Sequence, residues 1–175
     1  MKNITVENVL KISGGMFHCS LQDFDKTKEA EGVCIDSRLV EKDDIFIATA
    51  GERVDGHDFI SAAFDKGALA VVCEHVPEGI NGPCIVVKDS LLALREIAEY
   101  YREQLDIKVV GITGSVGKTS TKEFVASVLS QKYNVLKTEG NFNNEIGLPR
   151  TLLGIRPDTE IAVVEMGMRG LDQIK

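Results

Sequence analysis

Ile107-Lys108-Val109-Val110-Gly111-Ile112-Thr113-Gly114-Ser115-Val116-Gly117-Lys118-Thr119 is the stretch that decides the fold of this chain. It begins as an apolar run of strand length and passes into a loop of glycine and small residues. From Thr119 to Gln131 the pairs Phe124/Val128 and Val125/Leu129 then recur four apart, the spacing of one helix face. Strand, glycine loop and helix in that order suit a phosphate: backbone N–H groups approach it unobstructed, a helix N-terminus stands behind them, and a lysine reaches the β and γ phosphates. The spacing departs from G-x-x-x-x-G-K-[ST], because Ile112 stands five before Gly117. Gly114, Gly117 and Lys118 still supply all three features. A phosphate is therefore expected on the loop formed by Thr113, Gly114, Ser115, Val116, Gly117, Lys118, Thr119 and Ser120, with the Lys118 ammonium near it and the Thr119 hydroxyl on Mg²⁺. The bland alternative is a glycine-rich turn with a solvated lysine.

Downstream, Val135-Leu136 begins a second strand and Ile161-Ala162-Val163-Val164 forms a third, with helical sequence between them and another helix opening over Gly170–Ile174. This alternation implies a parallel α/β sheet beginning at residue 106. Three strands are few for such a sheet, where five or six are common, so residues 106–175 read as the beginning of a larger domain. Glu165 stands at the carboxyl end of the third strand, where open α/β sheets bind ligands; it suits Mg²⁺ beside the phosphate loop, the alternative being an ordinary solvated strand end. Gly140-Asn141-Phe142-Asn143-Asn144-Glu145-Ile146-Gly147-Leu148-Pro149 is dense in amides, which fit either a binding loop or a turn built on side-chain hydrogen bonds.

Upstream, residues 1–105 read as a small mixed α/β domain of short strands and helices. Gly32–Ile35 leads into Asp36-Ser37-Arg38, and Asp44–Ala48 leads into Gly51-Glu52-Arg53-Val54-Asp55-Gly56-His57. Both have the form of a strand followed by a functional loop. Arg38 can grip a diphosphate with its fork or pair with Asp36 or Glu52. Phe59, Ala62 and Ala63 sit at helical spacing before a stop at Gly67. Leu69–Val72 and Ile85–Val87 are apolar strands. Asp89 or Ser90 caps a helix carrying Leu91, Leu94, Ala98, Tyr101 and Leu105.

Composition narrows the function classes. The chain has 175 residues, 43% hydrophobic and 27% charged, which suits a folded globular protein. A formal charge of −7 without a basic run argues against a general nucleic-acid binder. Cys19, Cys34, Cys73 and Cys84 form no C-x-x-C pair and are expected to be buried free thiols. The N-terminal segment lacks the apolar core of a signal peptide, and no stretch is long enough to span a membrane, so the cytoplasm is the expected compartment.

Taken together, these residues resemble the Mur ligase family, ATP-dependent enzymes of peptidoglycan precursor synthesis. Thr113-Gly114-Ser115-Val116-Gly117-Lys118-Thr119 looks like that family's T-G-x-x-G-K-[ST] phosphate loop. Asp36-Ser37-Arg38 and Gly51–Phe59 resemble its UDP-sugar-binding domain. The loop Gly140–Pro149, with Val164-Glu165-Met166-Gly167-Met168, is similar to members that add D-alanyl-D-alanine. The tripeptide-forming members usually carry paired threonines before the proline, and this loop does not. The resemblance implies a three-domain ligase that uses ATP and Mg²⁺ to join D-alanyl-D-alanine to a UDP-N-acetylmuramoyl tripeptide through an acyl phosphate. Of that ligase, these residues would be the precursor-binding domain, 1–105, and the start of the ATP-binding domain, 106–175. It further implies ATP on the 113–120 loop with Lys118 as the catalytic cation, Ser37, Arg38, Gly51, His57 and Asn144 as substrate contacts, and Thr119 with Glu165 as Mg²⁺ ligands. By itself the chain is expected to be an inactive fragment. The alternatives are a tripeptide-forming ligase and a binding module for UDP-sugar or nucleotide that catalyses nothing.

Overall fold

The structure is a computed structural model that describes residues 1–51 and 54–167. It divides into two compact units, Met1–Tyr101 and a second beginning at Arg102, so the division falls just ahead of the expected 105/106.

In the first unit, helix α1 (Val6–Ser13) starts where the Thr5 hydroxyl accepts the Asn8 N–H at 3.1 Å and ends at left-handed Gly14. Five strands follow: β1 (Met16–His18), β2 (Val33–Cys34), β3 (Ile45–Ile47), β4 (Ala70–Cys73) and β5 (Cys84–Val86). They line up in the order β1-β5-β4-β3-β2, all neighbours parallel except the antiparallel β1 edge. A parallel sheet is covered on both faces, and β3 and β4 are accordingly buried at every position. Helix α2 (Ile60–Asp65) links β3 to β4 and stops before Gly67, whose φ is +93°. The expected apolar face is corrected here. Ile60 and Ala63 point into the core, whereas Phe59 and Ala62 face solvent, because a 3₁₀ turn over Gly56–Phe59 rotates the helix entry.

Helix α3 (Ser90–Glu103) is capped by Asp89, whose carboxylate accepts the Leu92 N–H at 2.8 Å. It buries Ala93, Leu94, Ile97, Ala98 and Tyr101; each large aliphatic chain removed from water contributes about 1.5–3 kcal/mol. Leu91 and Leu105, expected on that face, are only half-buried. All four cysteines are free. Cys73 and Cys84 are buried as expected; Cys19 and Cys34 are half-buried instead, since neither lies in a strand covered on both faces. The Cys73 sulfur and burial push the Cys84 thiol up, away from the reactive thiolate.

The second unit opens with β6 (Lys108–Ile112), then α4 (Lys118–Leu129), β7 (Val135–Lys137), α5 (Gly147–Leu153) and β8 (Ile161–Glu165). The strands are all parallel in the order β6-β8-β7, so the last strand in sequence is central. Helix α4 lies against the sheet through Val125, Ala126 and Leu129, packed with Ile112, Ile161 and Val163. Phe124 and Val128, expected to be one of the core-facing pairs, are 74% and 72% exposed. The helix turns its 122/125/126/129 side inward, which leaves 124 and 128 outside. The expected Gly170–Ile174 helix lies outside the described residues.

Phe46 is almost wholly buried in the core around Val40, Ile60 and Val71. Phe46→Ala should lower the unfolding free energy of the first unit by about 3–5 kcal/mol, seen as a reduced urea midpoint by circular dichroism. A midpoint close to wild type would mean that this core is not the one that stabilises the unit.

Candidate functional site

The phosphate loop connects β6 to α4. Thr113, Gly114, Ser115, Val116 and Gly117 are all exposed, as are Thr119 and Ser120 in the first turn of α4. Gly117 occupies the N-cap at φ +79° with open space where a Cβ would stand, a conformation L side chains rarely adopt. No side chain caps α4. Its first N–H groups therefore face outward, and with the helix dipole behind them they form a seat for an anion. The Lys118 ammonium folds back over the loop, donating to the Gly114 carbonyl at 2.7 Å. The loop thus holds its own lysine above the seat.

Glu165 stands beside this loop because of strand register. It pairs with Ile112, the last residue of β6, and the Met166 N–H donates to the Ile112 carbonyl at 2.9 Å. Its side chain is buried. Oε1 accepts the Asn143 side-chain N–H at 2.7 Å, while Oε2 has no hydrogen-bond partner among the described residues. A buried carboxylate oxygen left open in this way is costly unless something else occupies it. A hard cation is one such occupant. Carboxylate and hydroxyl oxygens are what Mg²⁺ takes, so Glu165 and Thr119 fit that ion chemically.

One buried residue had no place in the functional reading of the sequence. Lys122, one helical turn beyond Lys118, is fully buried. It donates to the Thr138 carbonyl at 2.7 Å and the Gly140 carbonyl at 3.3 Å, pairs with Glu123 at 3.2 Å, and lies 3.9 Å from Glu165 Oε2. Lys137 also pairs with Glu123, and these two lysines, Lys137 first, hold the Glu123 carboxyl below the usual carboxylate range. Thr138 closes the circuit. Its hydroxyl accepts the Glu165 N–H at 2.9 Å and its own N–H donates to Val163, so the chain stays tied to β8 after β7 ends. The signal that could have found Lys122 is its spacing, since it shares the inward side of α4 with Val125, Ala126 and Leu129.

The amide-rich loop is split between two tasks. Asn143 touches Glu165, and its carbonyl accepts the Gly167 N–H at 2.7 Å. Asn144, expected as a substrate contact, accepts the Ile146 and Gly147 N–H groups at 3.2 and 2.8 Å and so starts α5. A Cβ at Gly147 would lie 2.5 Å from the Phe142 backbone, so the loop closes this tightly only with glycine there.

The expected binding residues of the first unit lie on the loops that follow β2 and β3. Arg38 makes two parallel bonds to Asp36 at 2.9 and 2.7 Å, yet its side chain remains 86% exposed. The Ser37 carbonyl accepts from Lys66 at 2.9 Å. Gly51 is exposed and donates to Val54 at 3.0 Å. His57, expected to touch substrate, is buried with both ring nitrogens engaged. Nδ1 meets Asp55 at 2.6 Å, Nε2 accepts the Glu74 N–H at 2.9 Å, and the ring stacks on His75. Because Nε2 accepts, the ring proton is assigned to Nδ1. His57 braces the loop from below. Glu74 extends the brace to α3 by accepting from the Ser90 N–H and hydroxyl.

Comparison with known proteins bears on both units. Residues 29–102 match the Mur ligase family catalytic domain, and residues 112–175 match the Mur ligase middle domain. A UDP-N-acetylmuramoyl-tripeptide–D-alanyl-D-alanine ligase of Synechocystis is 49% identical over 144 residues, 81% of this chain and 32% of the relative. The crystal structure of MurF from Acinetobacter baumannii superposes with a TM-score of 0.82 at 36% identity, covering 94% of this chain and 36% of that one. MurF ligase from Thermotoga maritima in complex with ADP superposes at 0.69 with 38% identity, covering 77% and 31%. The chain spans about a third of the length of the curated relatives it matches.

Asp55 offers a test of the brace. The backbone and then the ring of His57 hold its carboxyl below the usual range. A carboxyl lowered by folding adds stability above its unfolded value, about 3.9, and loses it as the pH falls through the folded value. Asp55→Asn should therefore flatten the acid limb of the unfolding curve of the first unit while lowering stability at neutral pH. An acid limb identical to wild type would show that the Asp55–His57 contact contributes nothing.

Proposed function

Because the chain belongs to the Mur ligase family, we propose that its second unit loads Mg-ATP for an amide-forming ligase that joins D-alanyl-D-alanine to a UDP-N-acetylmuramoyl tripeptide. Its first unit, on the same proposal, holds the uridine end of that precursor. The carrying observation is the register that puts Glu165, with one buried oxygen open, beside the residue that leads into the phosphate loop. Names of relatives 34–49% identical to this chain support the reaction, and the ADP complex of a similar structure supports the nucleotide.

In this reading the N–H groups of the 113–120 loop bind the phosphates. Lys118 gives up the Gly114 carbonyl for a phosphate oxygen and draws off charge as the phosphoryl group moves. Thr119 and Glu165 would hold Mg²⁺, which when bound neutralises phosphate charge. Asn143 keeps the Glu165 carboxylate oriented. In the first unit Arg38, half used by Asp36 and otherwise open, grips the diphosphate with help from Ser37 and Gly51, and His57 supports that loop. Asn144 reaches substrate only through the shape it gives the 140–147 loop. The reaction belongs to the cytoplasm, where nucleotide-activated precursors and ATP are available. No helix among the described residues is long and apolar enough to cross a membrane.

A second reading applies to these 175 residues by themselves: binding of UDP-sugar or nucleotide without turnover. Ligase assays on the chain and on the complete enzyme separate the two.

In the complete ligase, Lys118→Ala should reduce kcat/KM by ~10² to 10³ with the melting temperature unchanged. Activity within a few-fold of wild type would remove Lys118 from the chemistry. Arg38→Ala should weaken precursor affinity in the same enzyme. If instead only the melting temperature drops, Arg38 serves Asp36 and not the substrate.

A further inference from the structure

An ammonium group has three donors. In Lys122 they face three acceptors at bonding range, Thr138 O at 2.7 Å, Glu123 Oε1 at 3.2 Å and Gly140 O at 3.3 Å. Glu165 Oε2, at 3.9 Å, therefore receives the lysine's charge but no hydrogen bond. The other oxygen of the same carboxylate is fixed by Asn143 at 2.7 Å. Glu165 is thus charge-balanced in a buried place, held by one oxygen, with its second oxygen buried and without a hydrogen bond among the described residues. Two oppositely charged side chains this deeply buried survive only when each is supported, and removing one strands the other.

We infer that Lys122 is a positioning residue for metal loading: it balances Glu165 and anchors the Thr138–Gly140 backbone while leaving Glu165 Oε2 open to a divalent cation. The inference rests on the nucleotide-loading reading of the same site. It differs from a plain packing role, in which Lys122 would serve the Thr138 and Gly140 carbonyls alone. The two roles separate at Glu165. Groups that hold a metal ligand in place typically cost 10- to 100-fold in metal affinity when removed, and that cost exists only while the ligand they hold is present.

The test measures Mn²⁺ binding to the full chain with ADP present, by the paramagnetic resonance of free Mn²⁺, and ADP binding without metal, by calorimetry. Lys122→Met should weaken Mn²⁺ binding by about 10-fold or more and leave metal-free ADP affinity unchanged. In a Glu165→Gln background the same substitution should cause no further loss. Should Lys122→Met fail to fold, Lys122→Gln keeps a donor for Thr138 while removing the charge, and it is held to the same outcomes. Unchanged Mn²⁺ affinity, or an equal loss in both backgrounds, overturns the inference while the nucleotide reading stands. A wild-type chain that binds neither ADP nor Mn-ADP overturns that reading and the inference with it.

Discussion

The second unit is organised around a buried charge. Glu165 ends the central strand of a parallel sheet, where the strand it follows is apolar and its own side chain is out of water. A carboxylate there requires compensation, and the chain supplies it from two directions, an ammonium from α4 and an amide from the loop after β7, while the Thr138 hydroxyl accepts the Glu165 backbone N–H. Each contact also fixes the element it comes from. Lys122 sets the rotation of α4 about its axis, since its inward side must carry a lysine, and that rotation is what turns Phe124 and Val128 outward. Thr138 keeps the chain on the sheet beyond the last residue of β7. Asn143 draws the amide-rich loop over the strand end.

The phosphate loop sits at the edge of this network. Its conformation is set by Gly117 and by the sharp passage from β6 into α4, and the next turn of the same helix carries Lys122. Lys118 and Lys122 therefore project from one short helix with different environments. The first is half-exposed and bonded to a single carbonyl; the second is buried and saturated with acceptors. Mobility suits a cation that must follow a transferring group, and fixation suits one that supports a carboxylate. The first unit repeats the logic on a smaller scale, with His57 buried and doubly bonded beneath a loop whose outer residues stay exposed.

What the sequence made legible was local. The glycine loop, the strand before it, the helix after it and the parallel alternation all follow from spacing and from glycine positions within a short window. The cap at Asp89 and the stop before Gly67 were readable for the same reason. The misread parts depend on partners far along the chain. Lys122 shares the inward spacing of α4, but what it bonds there depends on Thr138 and Glu165, far along the chain. Phe124 and Val128 read as core because apolar periodicity cannot say which of two adjacent stripes faces the sheet. The burial of His57 depends on Glu74, in a different strand connection, whose N–H its second nitrogen accepts. Asn143 and Asn144 are indistinguishable in sequence; register at the end of β8 gives one to Glu165 and the other to the start of α5.

The most direct measurement is a crystal structure of the chain grown with ADP and Mg²⁺. The account expects the terminal phosphate on the N–H groups of residues 114–118, Lys118 moved from the Gly114 carbonyl to a phosphate oxygen, and the metal between the Thr119 hydroxyl and Glu165 Oε2. Nucleotide bound elsewhere, or a metal seated on the phosphates with Glu165 Oε2 still without a partner, would contradict it.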